Sequence, residues 1–171
     1  LSHRDYLGNT IHTFDLPAPH TRLAIKSEAL VEVKQQADLP AALPEDAWDA
    51  IEAAYADRDL YDMTLQGKYT VETPLLHQFA QEINWRKRDD PLSLLYELNS
   101  AIYERFDYAT DVTRVDSPID VALEARRGVC QDFAHIGIAC LRSLGLAARY
   151  VSGYLHTQPP PGKPKLVGVD A

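Results

Sequence analysis

Residues 126–157 read RRGVCQDFAHIGIACLRSLGLAARYVSGYLHT, and the fold turns on how this stretch is parsed. Gly128 ends one helix, and a new helical pattern opens at Cys130. Phe133, Ile136, Gly137, Cys140, Leu141 and Leu144 follow at spacings of three and four, the apolar stripe of an amphipathic helix. Cys130 falls three residues before Phe133 on that stripe, while Gln131, Asp132, His135, Arg142 and Ser143 fall on the other side. Gly145 closes the helix. Residues 147–156 then resume as a strand, with Tyr150, Ser152, Tyr154 and His156 on one parity.

A cysteine in the first turn of a helix meets free amide N–H groups and the positive end of the macrodipole. Both stabilise a thiolate, the reactive form of the side chain. The same amides can hold the oxyanion of a tetrahedral intermediate. The competing reading of Cys130 is a small apolar core residue. Asp132 is expected to stabilise the helix N-terminus. A carboxylate so close opposes thiolate formation, so it is not assigned as the base.

Working outward, residues 5–9 are turn-like around Gly8-Asn9. Residues 10–16 and 21–34 are expected as strands; the second alternates Leu23, Ile25, Ala29, Val31 and Val33 with charged residues. Helices are expected over 46–54, from Thr73-Pro74 to about residue 84, from Asp90-Pro91 to about residue 106, and from Ser117-Pro118-Ile119-Asp120 to Gly128. In the last of these, Ser117 is expected as the capping hydroxyl. The stretch 158–164 (QPPPGKP) is a stiff loop between strands. The reading is an α+β fold, with an N-terminal β region over 1–38 and a core over 39–171.

The segments GVCQDFAH (128–135), SLGL (143–146) and ARYVSGY (148–154) resemble the core of the bacterial transglutaminase-like superfamily, many members of which are described as cysteine proteases. The likeness covers about thirty residues, with a looser match upstream. It implies a papain-like core of helices packed on an antiparallel sheet. It also implies Cys130 as the nucleophile of a Cys-His-Asp triad attacking an amide. Gln131, Tyr150 and Tyr154 are expected as substrate-binding residues, with core packing the alternative for the two tyrosines. The family takes its His and Asp from strands that follow a segment like LVGVDA (166–171), so both are expected beyond Ala171 and the chain is expected to be a fragment. His135, about 140° around the helix from Cys130, is expected to point away from it. His156 is expected as a strand-end residue. Cys140 lies ten helical residues from Cys130, roughly 15 Å, which rules out a disulfide within the helix and leaves core packing.

The formal charge of −8 argues against a nucleic-acid footprint and against an anionic membrane surface. No apolar run approaches the roughly 18 residues of a spanning helix. Two cysteines make no disulfide framework, and a reduced, cytoplasmic setting follows. No metal or cofactor is expected, since no Cys/His spacing or glycine-rich loop suggests one. The expected activity is thiol acyl chemistry on a protein or peptide amide, with hydrolysis preferred to amine transfer because nothing in the sequence marks a water-excluding lid. A non-catalytic binding module that keeps the fold is the alternative.

Overall fold

The computed structural model describes residues 1–26, 38–55, 58–153 and 161–162. It divides into two units, Leu1–Asp38 and Leu39–Ala171. The fold is α+β.

In the first unit, strands β1 (Ser2–Arg4) and β2 (Thr10–His12) pair antiparallel, with His3 opposite Ile11. Asp5 makes the turn between them. Its carboxylate accepts the backbone N–H of Asn9 at 2.8 Å and the Asn9 side-chain amide at 2.9 Å. The Asn9 side-chain bond, with smaller help from backbone donors, holds that carboxyl below the usual value. Gly8, at φ 85°, supplies the left-handed residue the turn needs. The ladder ends at His12, shorter than the expected 10–16. The strand expected over 21–34 falls largely outside the described residues, and residues 21–26 carry no ladder.

The second unit holds α1 (Ala47–Ala54), a 3-10 turn (Arg58–Met63), α2 (Pro74–Glu82), α3 (Pro91–Arg105), β3 (Asp107–Tyr108), α4 (Ile119–Ala125), β4 (Arg127–Gly128) and α5 (Cys130–Ser143). Proline at the first helical position and a polar cap start both α2 and α3. Thr73 accepts the Leu76 N–H, while Asp90 accepts those of Leu92 and Ser93. The Ser93 hydroxyl, followed by its backbone N–H, keeps the Asp90 carboxyl below the usual value.

The start of α4 departs from expectation. Pro118 takes the cap position, because the Ser117 hydroxyl instead accepts the Arg114 N–H at 2.9 Å. Asp120 serves a tertiary partner, accepting the Thr73 hydroxyl and so tying the start of α4 to that of α2.

Leu76, Phe79, Leu98, Ile119, Ala122, Leu123, Ile136 and Cys140 make the core, drawn from α2, α3, α4 and α5. Burying such side chains contributes roughly 1.5–3 kcal/mol each before the entropy of ordering is subtracted. Helix α5 packs against α2, α3 and α4. This central place explains why Ile138 and Ala139 are buried beside Ile136 and Cys140 of the expected stripe, while Phe133, Gly137, Leu141 and Leu144 are half-buried.

Candidate active site

Cys130 is delivered to its position by a strand. Helix α4 stops at Arg126, which adopts a left-handed conformation at φ 51°. Its guanidinium lies over the rings of Phe79 and Phe106 at 5.3 and 5.4 Å and pairs with Glu82. These contacts hold a backbone conformation that is unfavourable for a residue with a Cβ. The chain then runs through β4, parallel to β3, with the Ala109 N–H donating to the Gly128 carbonyl at 2.8 Å. After Val129, the helix begins at Cys130.

The first turn of α5 corrects two expectations. The periodicity puts Cys130 on the inward stripe, yet it is exposed; it puts Asp132 outside, yet that residue is 2% exposed. The reason is capping. Asp132 folds back so that Oδ2 accepts the Val129 N–H at 2.8 Å and the Thr113 hydroxyl at 2.6 Å. A carboxylate at the third helical position thereby satisfies one of the otherwise orphaned donors. A Cβ on Gly128 would lie 2.7 Å from that oxygen, so only glycine leaves room for this cap. Gly128, expected to end α4, lies in β4 after the helix has ended, and there its lack of a side chain makes room for the cap.

Gln131 donates from its side-chain amide to the Val115 carbonyl at 3.0 Å. Two adjacent side chains thus fasten the 113–115 loop to the turn that presents the thiol. Among the described residues, none hydrogen-bonds to the Cys130 sulfur.

His135 is stacked on Tyr69, with ring centroids 5.3 Å apart and planes within 7°, and is tilted against Tyr150 at 5.2 Å. Burial lowers its proton affinity below the usual imidazole value, partly opposed by the Asp132 charge. Arg142 holds both flanks of this stack. It donates to the Leu65 carbonyl and the Thr70 hydroxyl on the Tyr69 side, and twice to the Ala148 carbonyl on the Tyr150 side.

The strand expected over 147–156 does not form within 147–153. At its start the Ala147 N–H donates to the Tyr55 hydroxyl, the Ala148 N–H donates to the Met63 carbonyl, and the Ala148 carbonyl accepts from Arg142, so these groups are engaged outside any ladder. Tyr150 lies beside His135, 39% exposed. Tyr154, His156 and the 158–160 and 163–171 stretches lie outside the described residues. Cys140 is 1% exposed, and burial pushes its thiol up to about 12. Its carbonyl accepts the Trp85 indole N–H at 2.8 Å and the Ser143 hydroxyl at 2.7 Å.

Sequence reading missed Thr113 and Tyr69, which stand 17 and 61 residues from Cys130 and carry no local signal. The Gly128–Asp132 pairing did have one: a glycine four residues before a carboxylate, straddling a helix start. Among the described residues no His, Cys, Asp and Glu cluster could hold a metal, and no helix is long and apolar enough to cross a membrane.

Residues 77–169 match the model of the transglutaminase-like superfamily. An uncharacterized protein of Mycobacterium tuberculosis is 39% identical over 98% of this chain, and one of Mycobacterium leprae is 36% identical over 89%. The chain spans about half the length of these curated relatives, 54% and 53%. Among solved structures, "a Putative Cysteine Protease" from Cytophaga hutchinsonii is 30% identical, with a TM-score of 0.50 over 57% of this chain and 33% of that one.

Proposed function

The chain belongs to the transglutaminase-like superfamily, and from that premise we propose that it carries the nucleophile of a thiol enzyme acting on protein or peptide amides. The observation that carries this reading is the position of Cys130: exposed, at the first residue of a buried helix, on a turn clamped by Asp132 and Gln131. The Cytophaga protein, described as "a Putative Cysteine Protease", supports the same class.

In the proposed reaction the Cys130 sulfur attacks the amide carbonyl carbon. A C–S bond forms and the C–N bond breaks. The thiol proton leaves with the amine, and water then cleaves the thioester to a carboxylic acid and free thiol. Amide N–H groups of the first turn stabilise the oxyanion. Proton transfer to the amine needs an acid–base partner. His135, held between Tyr69 and Tyr150, is not given that role. We assign it to a His–Asp pair contributed by further sequence of a longer protein, as the family resemblance implies. Tyr150 and Tyr154 are proposed to bound the substrate path, and hydrolysis is preferred to amine transfer.

The test is a longer protein bearing the remaining family motifs, assayed on peptide amides with and without an added primary amine. Hydrolysis that Cys130→Ser abolishes supports the proposal; product joined to the amine identifies a transferase instead. Full activity in Cys130→Ser sinks the assignment. The second reading, a binding module that keeps the fold, draws on the missing imidazole contact to the thiol among the described residues. Inactivity of the longer protein on all amides would favour it.

A further inference from the structure

Beside the end of α5 farthest from Cys130, the second unit walls a cleft of about 350 Å³, the size of a small-molecule site. Leu141 on its lining stands eleven residues along the helix from Cys130, roughly 16 Å away. Ile51 of α1, Leu60 and Met63 of the 3-10 turn, Leu95 of α3 and Leu146 make up much of the remaining wall. Leu95 is exposed, so water meets apolar surface that a ligand would cover at a gain.

Helix α1 shows why the space is open. Ile51, Ala54 and Tyr55 fall at spacings of three and four and all line the cleft, yet none of the helix's own residues is buried. Polar bonds at its two ends hold it instead. At the start, the Trp48 indole N–H donates to the Arg88 carbonyl at 2.8 Å, and the Lys87 ammonium lies over the Trp48 ring at 4.3 Å. At the end, the Tyr55 hydroxyl accepts the Ala147 N–H at 2.8 Å, and the Ala148 N–H donates to the Met63 carbonyl at 3.0 Å. These bonds fix the walls without filling the space between them. The cleft is therefore preformed, which lowers the cost of binding.

Charge selects the ligand. Arg149 completes the lining and is exposed. Its guanidinium has no acceptor or ion-pair partner among the described residues, whereas Arg88, Arg126 and Arg142 are each engaged. No Asp or Glu lines the cleft among the described residues. An apolar body suits the walls, and one carboxylate suits the fork of a free guanidinium. We propose that this cleft binds an aliphatic monocarboxylate, its chain against Ile51, Leu95, Leu141 and Leu146 and its carboxylate on Arg149. The site is separate from the thiol, and the proposal does not rest on the amide-cleavage reading.

The experiment is a titration of the isotope-labelled 171-residue chain, followed by amide NMR shifts. The probes are octanoate, octanol and octylamine: one chain carrying a negative, no or a positive charge. Octanoate should saturate one site with a dissociation constant of about 1 mM or tighter, with shifts centred on residues 141–149 and α1. Octanol and octylamine should bind at least about threefold more weakly. Arg149→Gln should bring octanoate within about twofold of octanol and leave octanol unchanged. Ala54→Phe, which puts a ring into the cleft, should remove the shifts for both while the rest of the spectrum stays native. Absence of saturation, equal affinity for the three probes, or shifts centred elsewhere overturns the proposal. So does octanoate binding undiminished in a folded Ala54→Phe. If Ala54→Phe does not fold, Arg149→Gln decides, since that side chain is exposed and makes no bond to lose.

Discussion

Cys130 and Cys140 sit on one helix, ten residues apart, in opposite surroundings. The first stands at the open end, where polar side chains fold back to tie the turn to a loop. The second is sealed among Phe79, Ile136 and their neighbours, with its own carbonyl locked by Trp85. Residue type and helix are shared, so neither by itself decides reactivity. Access to water and position along the helix do: Cys130 stands in the first turn, whose amide N–H groups have no intrahelical acceptor, and Cys140 is sealed inside the packed part.

The largest expected effect tests this contrast directly. Near pH 8, with the chain native, iodoacetamide should modify Cys130 more than about a thousandfold faster than Cys140, since a thiol raised to about 12 is almost wholly protonated and also shielded. Comparable native rates, read by peptide mass spectrometry, would break the comparison.

Opening the closed end sharpens it. Phe79→Ala should lower stability by about 3–5 kcal/mol in urea unfolding, because Phe79 is fully buried and packs edge-on to Phe106. Labelling of Cys140 should rise far more than that of Cys130.

At the open end, Gly128→Ala should cost about 1–3 kcal/mol, as the new methyl drives Asp132 off its cap. Gly128 is not in a left-handed conformation, so close approach is the whole cause. A neutral result would show that Asp132 can cap from elsewhere. Trp85→Phe keeps an aromatic ring and loses the bond to the Cys140 carbonyl, for about 1 kcal/mol.

The smallest effect is pH dependence at His135. Burial makes the folded state bind its proton less readily than the unfolded state, whose value is near 6.5. Its contribution is therefore fully present above about 6.5 and lost as pH falls through the lower folded value. His135→Phe, which preserves the stack with Tyr69 and Tyr150, should flatten the decline in Tm between about pH 7 and pH 5. An unchanged slope would remove His135 from the acid response.

Helix existence was the most legible feature, because its causes are local. Thr73-Pro74 and Asp90-Pro91 start α2 and α3 as expected, and Gly145, at φ 76°, follows the end of α5. The 117–120 run misled for an equally physical reason: its hydroxyl and carboxylate each found a better partner, Arg114 and Thr73 respectively. Periodicity also misassigned the first turn of α5. A side chain there is free to fold back along the helix end, so its angle around the axis does not fix its burial.

The sequence by itself determined the family, through a near-continuous motif around Cys130, and the helix that starts at that residue. Both are written in neighbouring residues. Only the tertiary structure decided that Asp132 turns inward under Thr113, that β3 pairs parallel to β4, and that His135 is clasped by Tyr69 and Tyr150. Each joins residues far apart in the chain or chooses between partners of similar chemistry. Such choices are settled by which groups packing brings within about 3 Å for a hydrogen bond, and no local pattern encodes that distance.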